Sequence, residues 1–180
     1  MLRWLTSTKR TEATALQLYG SSVAQARQPV FYRDWCVADS LDGRFELVML
    51  HVALLLRRLT SGGAEGKELG RLTVERMFGS LDDDLREIGI GDLTVPKRIT
   101  AAASAFYGRL KAYDEALESG GRDALDVALT RNIPATAGHV LNTARLADYA
   151  SALAAQLSAQ PYERLCNGEV VFPNPGTTTP

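Results

Sequence analysis

The sequence predicts an all-α fold: a single-domain bundle of about six or seven helices with short connections and an irregular C-terminal tail. Three observations predict it. Apolar residues recur at spacings of three and four along most of the chain, the period of an amphipathic helix. Glycine, proline and asparagine clusters punctuate these runs. No segment alternates apolar and polar residues over the length of a half-buried strand. With 180 residues, one domain can bury a core without disulfides or a structural metal. The expected division is a flexible N-terminus over 1–8, a helical domain over 9–166 and the tail over 167–180.

From Lys9 to Arg27, the residues Ala13, Leu16, Tyr19, Val23 and Ala26 follow helical spacing, and Gln28-Pro29 ends the element. Val30 to Trp35 is too aromatic for an ordinary loop and too short for a helix, so it is expected to plug back into the core. Asp39 or Ser40 caps the next helix, which runs to Leu59. Its broad apolar face (Phe45, Val48, Met49, Val52, Leu55, Leu56 and Leu59) makes it the most buried helix. Ser61-Gly62-Gly63 reads as a stop and a flexible link. A third helical pattern carries Leu69, Leu72, Val74, Phe78, Leu81, Leu85 and Ile88, with Gly79 as a candidate kink.

The stretch Arg86 to Arg98 stops one helix and starts another. Gly89 and Gly91 supply backbone angles that other residues resist, and Thr94 followed closely by Pro96 is a helix-start signal. Ile99, Ala103, Phe106, Leu110, Tyr113 and Leu117 then mark a strong amphipathic helix, ended by Ser119-Gly120-Gly121. Arg122 to Arg131 forms a short helix closed by Asn132-Ile133-Pro134, and Val140 to Leu157 an alanine-rich one. Asn167-Gly168 is a turn, Glu169 to Phe172 is briefly extended, and the remainder is irregular or disordered.

A hydrophobic content of 46%, a charged content of 23% and a formal net charge of -1 describe an ordinary globular protein without a nucleic-acid signature, so no DNA partner is expected. Arg57-Arg58 and Lys97-Arg98 read as solvated helix faces. Cys36 and Cys166 have no CxxC partner; free thiols are expected, with a mutual disulfide as the alternative if the chain ends meet. Met1 to Thr6 turns polar before an apolar segment develops, so no secretory signal is expected and the cytoplasm is the expected compartment. The greasiest run, Leu47 to Leu56, contains His51 and falls far short of the ~20 apolar residues that span a bilayer.

Chemistry is sparse. Asp82-Asp83-Asp84 point to different helix faces and form no ligand set, so no metal is expected. His51 reads as a core histidine with satisfied ring nitrogens, and His139 has no nucleophile motif near it. Gly89-Ile90-Gly91 follows a helix, whereas a dinucleotide fingerprint follows a strand; Gly89 reads as a helix C-cap and Asp92 as a turn-bonding residue. Two clusters couple aromatics to arginine: Phe31-Tyr32-Arg33 and Phe106-Tyr107-Gly108-Arg109. Phe106 is expected in the core and Tyr107 nearer the surface. Gly108 in a helix interior costs about 1 kcal/mol relative to alanine, which implies close approach by a neighbouring helix or by a ligand or partner chain. No acid-base pair, nucleophile or cofactor motif emerges, so the chain reads as a non-enzyme without a cofactor.

Taken in order, Gln25 to Tyr32, Asp42-Gly43-Arg44-Phe45-Glu46, Leu50-His51, Leu85 to Lys97 and Ala105-Phe106-Tyr107-Gly108-Arg109-Leu110 resemble the ubiquinol-cytochrome c chaperone family. The resemblance covers about Tyr19 to Asn132. Ala38 departs from the proline usual in the family's Val-Pro-Asp segment, which bears on the turn there. The resemblance implies a helical, non-enzymatic assembly factor that helps newly made cytochrome b enter the ubiquinol-cytochrome c reductase (bc1) complex. It further implies a small partner protein, contact with the ribosome exit region, and, for a bacterial-looking chain without a transit peptide, action at the cytoplasmic face of the inner membrane with peripheral membrane contact. Joined to the residues, it makes Phe31, Tyr32 and Tyr107 candidates for contact area. Arg27, Arg44 and Arg109 become candidates for orienting the partner or engaging lipid phosphates. Each could equally hold the bundle together, Arg44 and Asp92 through an internal ion pair bracing the loop. Gly89, Gly91, Asp92 and Lys97 are the expected loop-bracing residues. The alternative is a lipid- or quinone-binding helical protein whose apolar groove holds a small isoprenoid or acyl chain.

Overall fold

In the computed structural model, residues 2–118 and 121–177 are described. Eight helices follow one another: α1 (Leu2–Ala26), α2 (Pro29–Arg33), α3 (Leu41–Thr60), α4 (Gly63–Glu87), α5 (Val95–Glu118), α6 (Arg122–Asn132), α7 (Thr143–Ala159) and α8 (Tyr162–Cys166). Six are long, while α2 and α8 have five residues each. Among the described residues the only extended pairing is an isolated antiparallel bridge between Val37 and Ala135.

The greasiest segment becomes the axis. Helix α3 packs against α1, α4, α5 and α7, and every residue from Glu46 to Leu56 is buried. Its start is fixed twice. The Ser40 hydroxyl accepts the Gly43 N–H at 3.2 Å, an N-cap. Gly43 also sits so close to the preceding loop that an added Cβ would lie 2.0 Å from the Ala38 carbonyl oxygen. Glycine is therefore the residue that lets this helix begin where it does.

Three boundaries differ from the sequence reading. Helix α1 begins at Leu2 rather than at Lys9, because no glycine or proline interrupts the chain before Gly20 and extending an existing helix costs little. Pro29 opens α2 at its first turn, where its missing N–H costs nothing, rather than only ending α1. Helix α7 starts at Thr143, capped by the Asn142 side chain accepting from Arg145 N–H at 3.2 Å, which leaves Val140 outside and 89% exposed. Helix α4 begins directly at Gly63 and runs through Gly79 unbroken. The expected stop at Ser119-Gly120 lies outside the described residues, and Gly121 is the N-cap residue of α6.

At the centre, Phe31, Trp35, His51 and Tyr149 meet edge to face, with Phe172 of the tail against His51 at 5.6 Å. The Leu47 carbonyl can only accept, so His51 Nδ1 donates to it (2.7 Å) and Nε2 accepts the Tyr149 hydroxyl proton (2.8 Å). Gln25 Nε2 donates to Tyr149 Oη at 2.9 Å and to the Pro173 carbonyl at 2.8 Å. Burial pushes the His51 pKa down to about 4, so the ring is neutral at physiological pH. The tail is irregular but pinned: Gln160 exchanges two hydrogen bonds with the Val171 backbone, and Pro175 is buried. Cys36 and Cys166 are free thiols.

Candidate docking groove

Helix α4 ends in a Schellman cap. Gly89, at φ +84°, donates to Arg86 O (3.0 Å), and Ile90 donates to Leu85 O (3.0 Å). Leu85 and Ile90 then join Leu81, Val95 and Ile99 in a small apolar cluster under the loop. Asp92 ion-pairs with Arg86, which also reaches Asp82 at 2.5 Å. Gly91 does not share the role of Gly89. Its φ is not positive and an added Cβ would meet nothing, so its carbonyl, accepting from Thr94 N–H at 2.8 Å, is what shapes the turn. Lys97 is exposed and makes no ion pair among the described residues.

Where the last turns of α4, the second half of α1 and the first turns of α3 converge, an open groove of about 470 Å³ remains. Leu16, Tyr19, Val23, Leu41, Phe45 and Ile88 supply its apolar surface, with Leu16 54% and Ile88 60% exposed. Arg27, just past the end of α1, and Arg44 of α3 border it on one side, and Asp84 and Glu87 of α4 on another. Burial raises the Tyr19 pKa; the Asp84 carboxylate raises it further, while Ser80 and Arg27 act in the opposite sense, so the hydroxyl lies within reach of both charged borders.

Two depressions continue the groove. One, about 400 Å³, gathers Arg27, Tyr32, Arg33, Asp39 and Arg44. The other, about 240 Å³, adds Leu85, Arg98 and Ala101 beside Leu41 and Phe45. Arg44 pairs with Asp39 at 2.6 Å, not with Asp92, and its hydrogen bond lowers the Asp39 pKa. Tyr32 donates to the Ala26 carbonyl at 2.8 Å, holding its ring beside the arginines.

Of the six candidate contact residues, the fold brings together Arg27, Tyr32 and Arg44. The other three lie elsewhere. Phe31 is fully buried between Trp35 and Tyr149 and offers no surface; this corrects its reading as a contact residue, since α2 turns it inward. Arg109 grips Glu46 with two parallel hydrogen bonds, Nε to Oε2 at 2.7 Å and Nη2 to Oε1, their side chains only 17% and 11% exposed. It ties α5 to α3 and is not free to orient a partner. Tyr107 is 57% exposed on α5, edge-on to Phe106 and outside the groove. Gly108 has nothing within 4 Å of an added Cβ, so no helix presses on it; it opens instead on a shallow hollow of about 640 Å³ between α5 and α6. Leu16, Leu41 and Ile88 are the groove residues the sequence disguised, because Leu16 and Ile88 carry the same spacing as core positions.

A helical bundle with an open apolar groove and charged borders has the kind of surface against which polypeptide helices pack. Among the described residues no three histidine, cysteine or acidic side chains gather as a metal site, and no helix is long and apolar enough to cross a membrane. The chain belongs to the ubiquinol-cytochrome C chaperone family, which it matches over residues 33–172. It is similar to ubiquinol-cytochrome-c reductase complex assembly factor 1 of Xenopus laevis, 27% identical over 69% of this chain and 62% of the relative. The Drosophila melanogaster counterpart is 30% identical over 63% of this chain and 46% of its own length. The chain thus spans about half to three fifths of these relatives. In three dimensions it is similar to the crystal structure of the Cbp3 homolog from Brucella abortus, at a TM-score of 0.86 and 34% identity over 98% of this chain and 99% of that one. The Xenopus and Drosophila relatives are assembly factors of the ubiquinol-cytochrome c reductase complex.

Proposed function

We propose that this protein is a chaperone of ubiquinol-cytochrome c reductase assembly that holds newly made cytochrome b until the complex is built. The observation that carries the reading is the open groove among α1, α3 and α4, an apolar surface large enough to shelter apolar side chains of an unassembled client. Arg27, Arg44 and Tyr32 at its border are the contact residues retained, with Tyr107 as a separate exposed aromatic. Groove openness favours a polypeptide client over an enclosed lipid or quinone. Action at the cytoplasmic face of the inner membrane, with a small partner protein or the ribosome exit region nearby, belongs to the same proposal.

Co-purification with cytochrome b tests it. Leu16→Asp and Ile88→Asp place charges on exposed groove positions without touching the core, and capture should fall in both while far-UV circular dichroism is unchanged. Undiminished capture by both folded variants overturns the assignment of the groove, and absence of cytochrome b from wild-type preparations overturns the client.

A further inference from the structure

The groove has opposite charges on its borders, and most of them are unspent. Among the described residues Arg27, Asp84 and Glu87 make no ion pair, and only Arg44 is partly neutralised, by exposed Asp39. Fixed, unpaired charges beside a concave apolar surface select what lies in it more than they stabilise the fold. Arginine comes from the end of α1 (Arg27) and from α3 (Arg44), carboxylate from the last turns of α4, and Tyr19 lies between them. A bilayer surface with anionic headgroups would suit the arginines but would be repelled by Asp84 and Glu87. A uniformly apolar segment would leave Arg27, Asp84 and Glu87 without partners at the edge of a dry contact.

Resting on the proposed client-holding role, we propose that the groove takes one amphipathic polypeptide helix of stated charge pattern: an apolar face flanked by acidic residues along one side and basic residues along the other. Acidic side chains meet Arg27 and Arg44, basic ones meet Asp84 and Glu87, and the apolar face covers Leu16, Leu41, Phe45 and Ile88. Opposed flanks fix how the helix lies, since turning it end for end about the groove exchanges its sides and pairs like with like.

The test uses the full chain and three synthetic helical peptides with one apolar face in common: one with an acidic and a basic flank, one with both flanks acidic, one with both basic. Binding is read by fluorescence anisotropy at low salt. The mixed peptide should bind about fivefold more tightly than either of the others, the scale of two or three exposed charge pairs. The preference should move with the groove: Arg27→Glu with Arg44→Glu should favour the all-basic peptide, and Asp84→Lys with Glu87→Lys the all-acidic one. All these positions are at the surface, and circular dichroism verifies folding. Equal binding of the three peptides, no binding of any, or binding only to vesicles of mixed zwitterionic and anionic phospholipid overturns the proposal. Cytochrome b capture that survives such a result leaves the chaperone reading standing and removes only the charge-patterned groove.

Discussion

Arg109→Ala isolates the least exposed ion pair among the described residues. It removes the guanidinium that holds Glu46 through two hydrogen bonds and leaves a carboxylate only 11% exposed on the central helix. Breaking a buried ion pair by deleting one partner costs roughly 3–5 kcal/mol, and the slight exposure at this site puts the expectation at about 3 kcal/mol. The pH dependence is diagnostic. Burial already holds Glu46 above the ordinary carboxylate range despite Arg109, and without the guanidinium it rises further. A raised carboxyl binds its proton more readily folded than unfolded, so stability falls as pH climbs from the ordinary carboxylate range through the raised value. The Arg109→Ala deficit should therefore be largest at about pH 7 and shrink by about pH 5. Urea unfolding followed by circular dichroism measures it, and adding Glu46→Gln to the variant should restore most of the loss. A deficit under about 1 kcal/mol, equal at both pH values, would refute a desolvated pair.

Three further outcomes are expected. Gly43→Ala forces a Cβ against the Ala38 carbonyl and should cost about 1–3 kcal/mol in urea unfolding; an unchanged midpoint would mean that the loop yields freely. Gly89→Ala should cost about 1 kcal/mol because its φ is left-handed, whereas Gly91→Ala should be neutral or slightly stabilising, so equal effects on the thermal midpoint would contradict the cap geometry. His51 has a folded pKa of about 4, below its ordinary value, so the unfolded chain takes up the proton first and stability is lost as pH falls from about 6.5 towards 4, by up to about 3 kcal/mol. An NMR titration in which the His51 ring protonates near its ordinary value would rule that out.

Much of the fold was legible because periodicity is loud where helices are long. Ser40, the apolar face of α3 and the run from Ile99 to Leu117 all led to elements of the right type. The short helices α2 and α8 were missed because five residues carry no period, and Pro29 reads equally as a stop or a start. The groove was harder for a physical reason. Leu16 and Ile88 have the spacing of core residues, and only the failure of three helices to close over them leaves them exposed. Arg109 misled in the opposite direction: it lies three positions after Phe106 and four before Tyr113, on the buried face, where Glu46 accepts it. Gly108 signalled space, but the space is an open hollow and not a helix contact.

The amide of Gln25 has a consequence for how this chain is made. Its two acceptors, Tyr149 and the Pro173 carbonyl, lie 124 and 148 residues downstream. During synthesis, α1 and α2 emerge long before the groups that complete their surroundings: Phe31 and Trp35 wait for Tyr149, and His51 waits for Phe172. Contacts so distant along the chain are slow to form, and the centre cannot be sealed before the tail leaves the ribosome. A chain that ends before Phe172 lacks the ring that packs against His51, and every nascent copy must cross that interval of vulnerability.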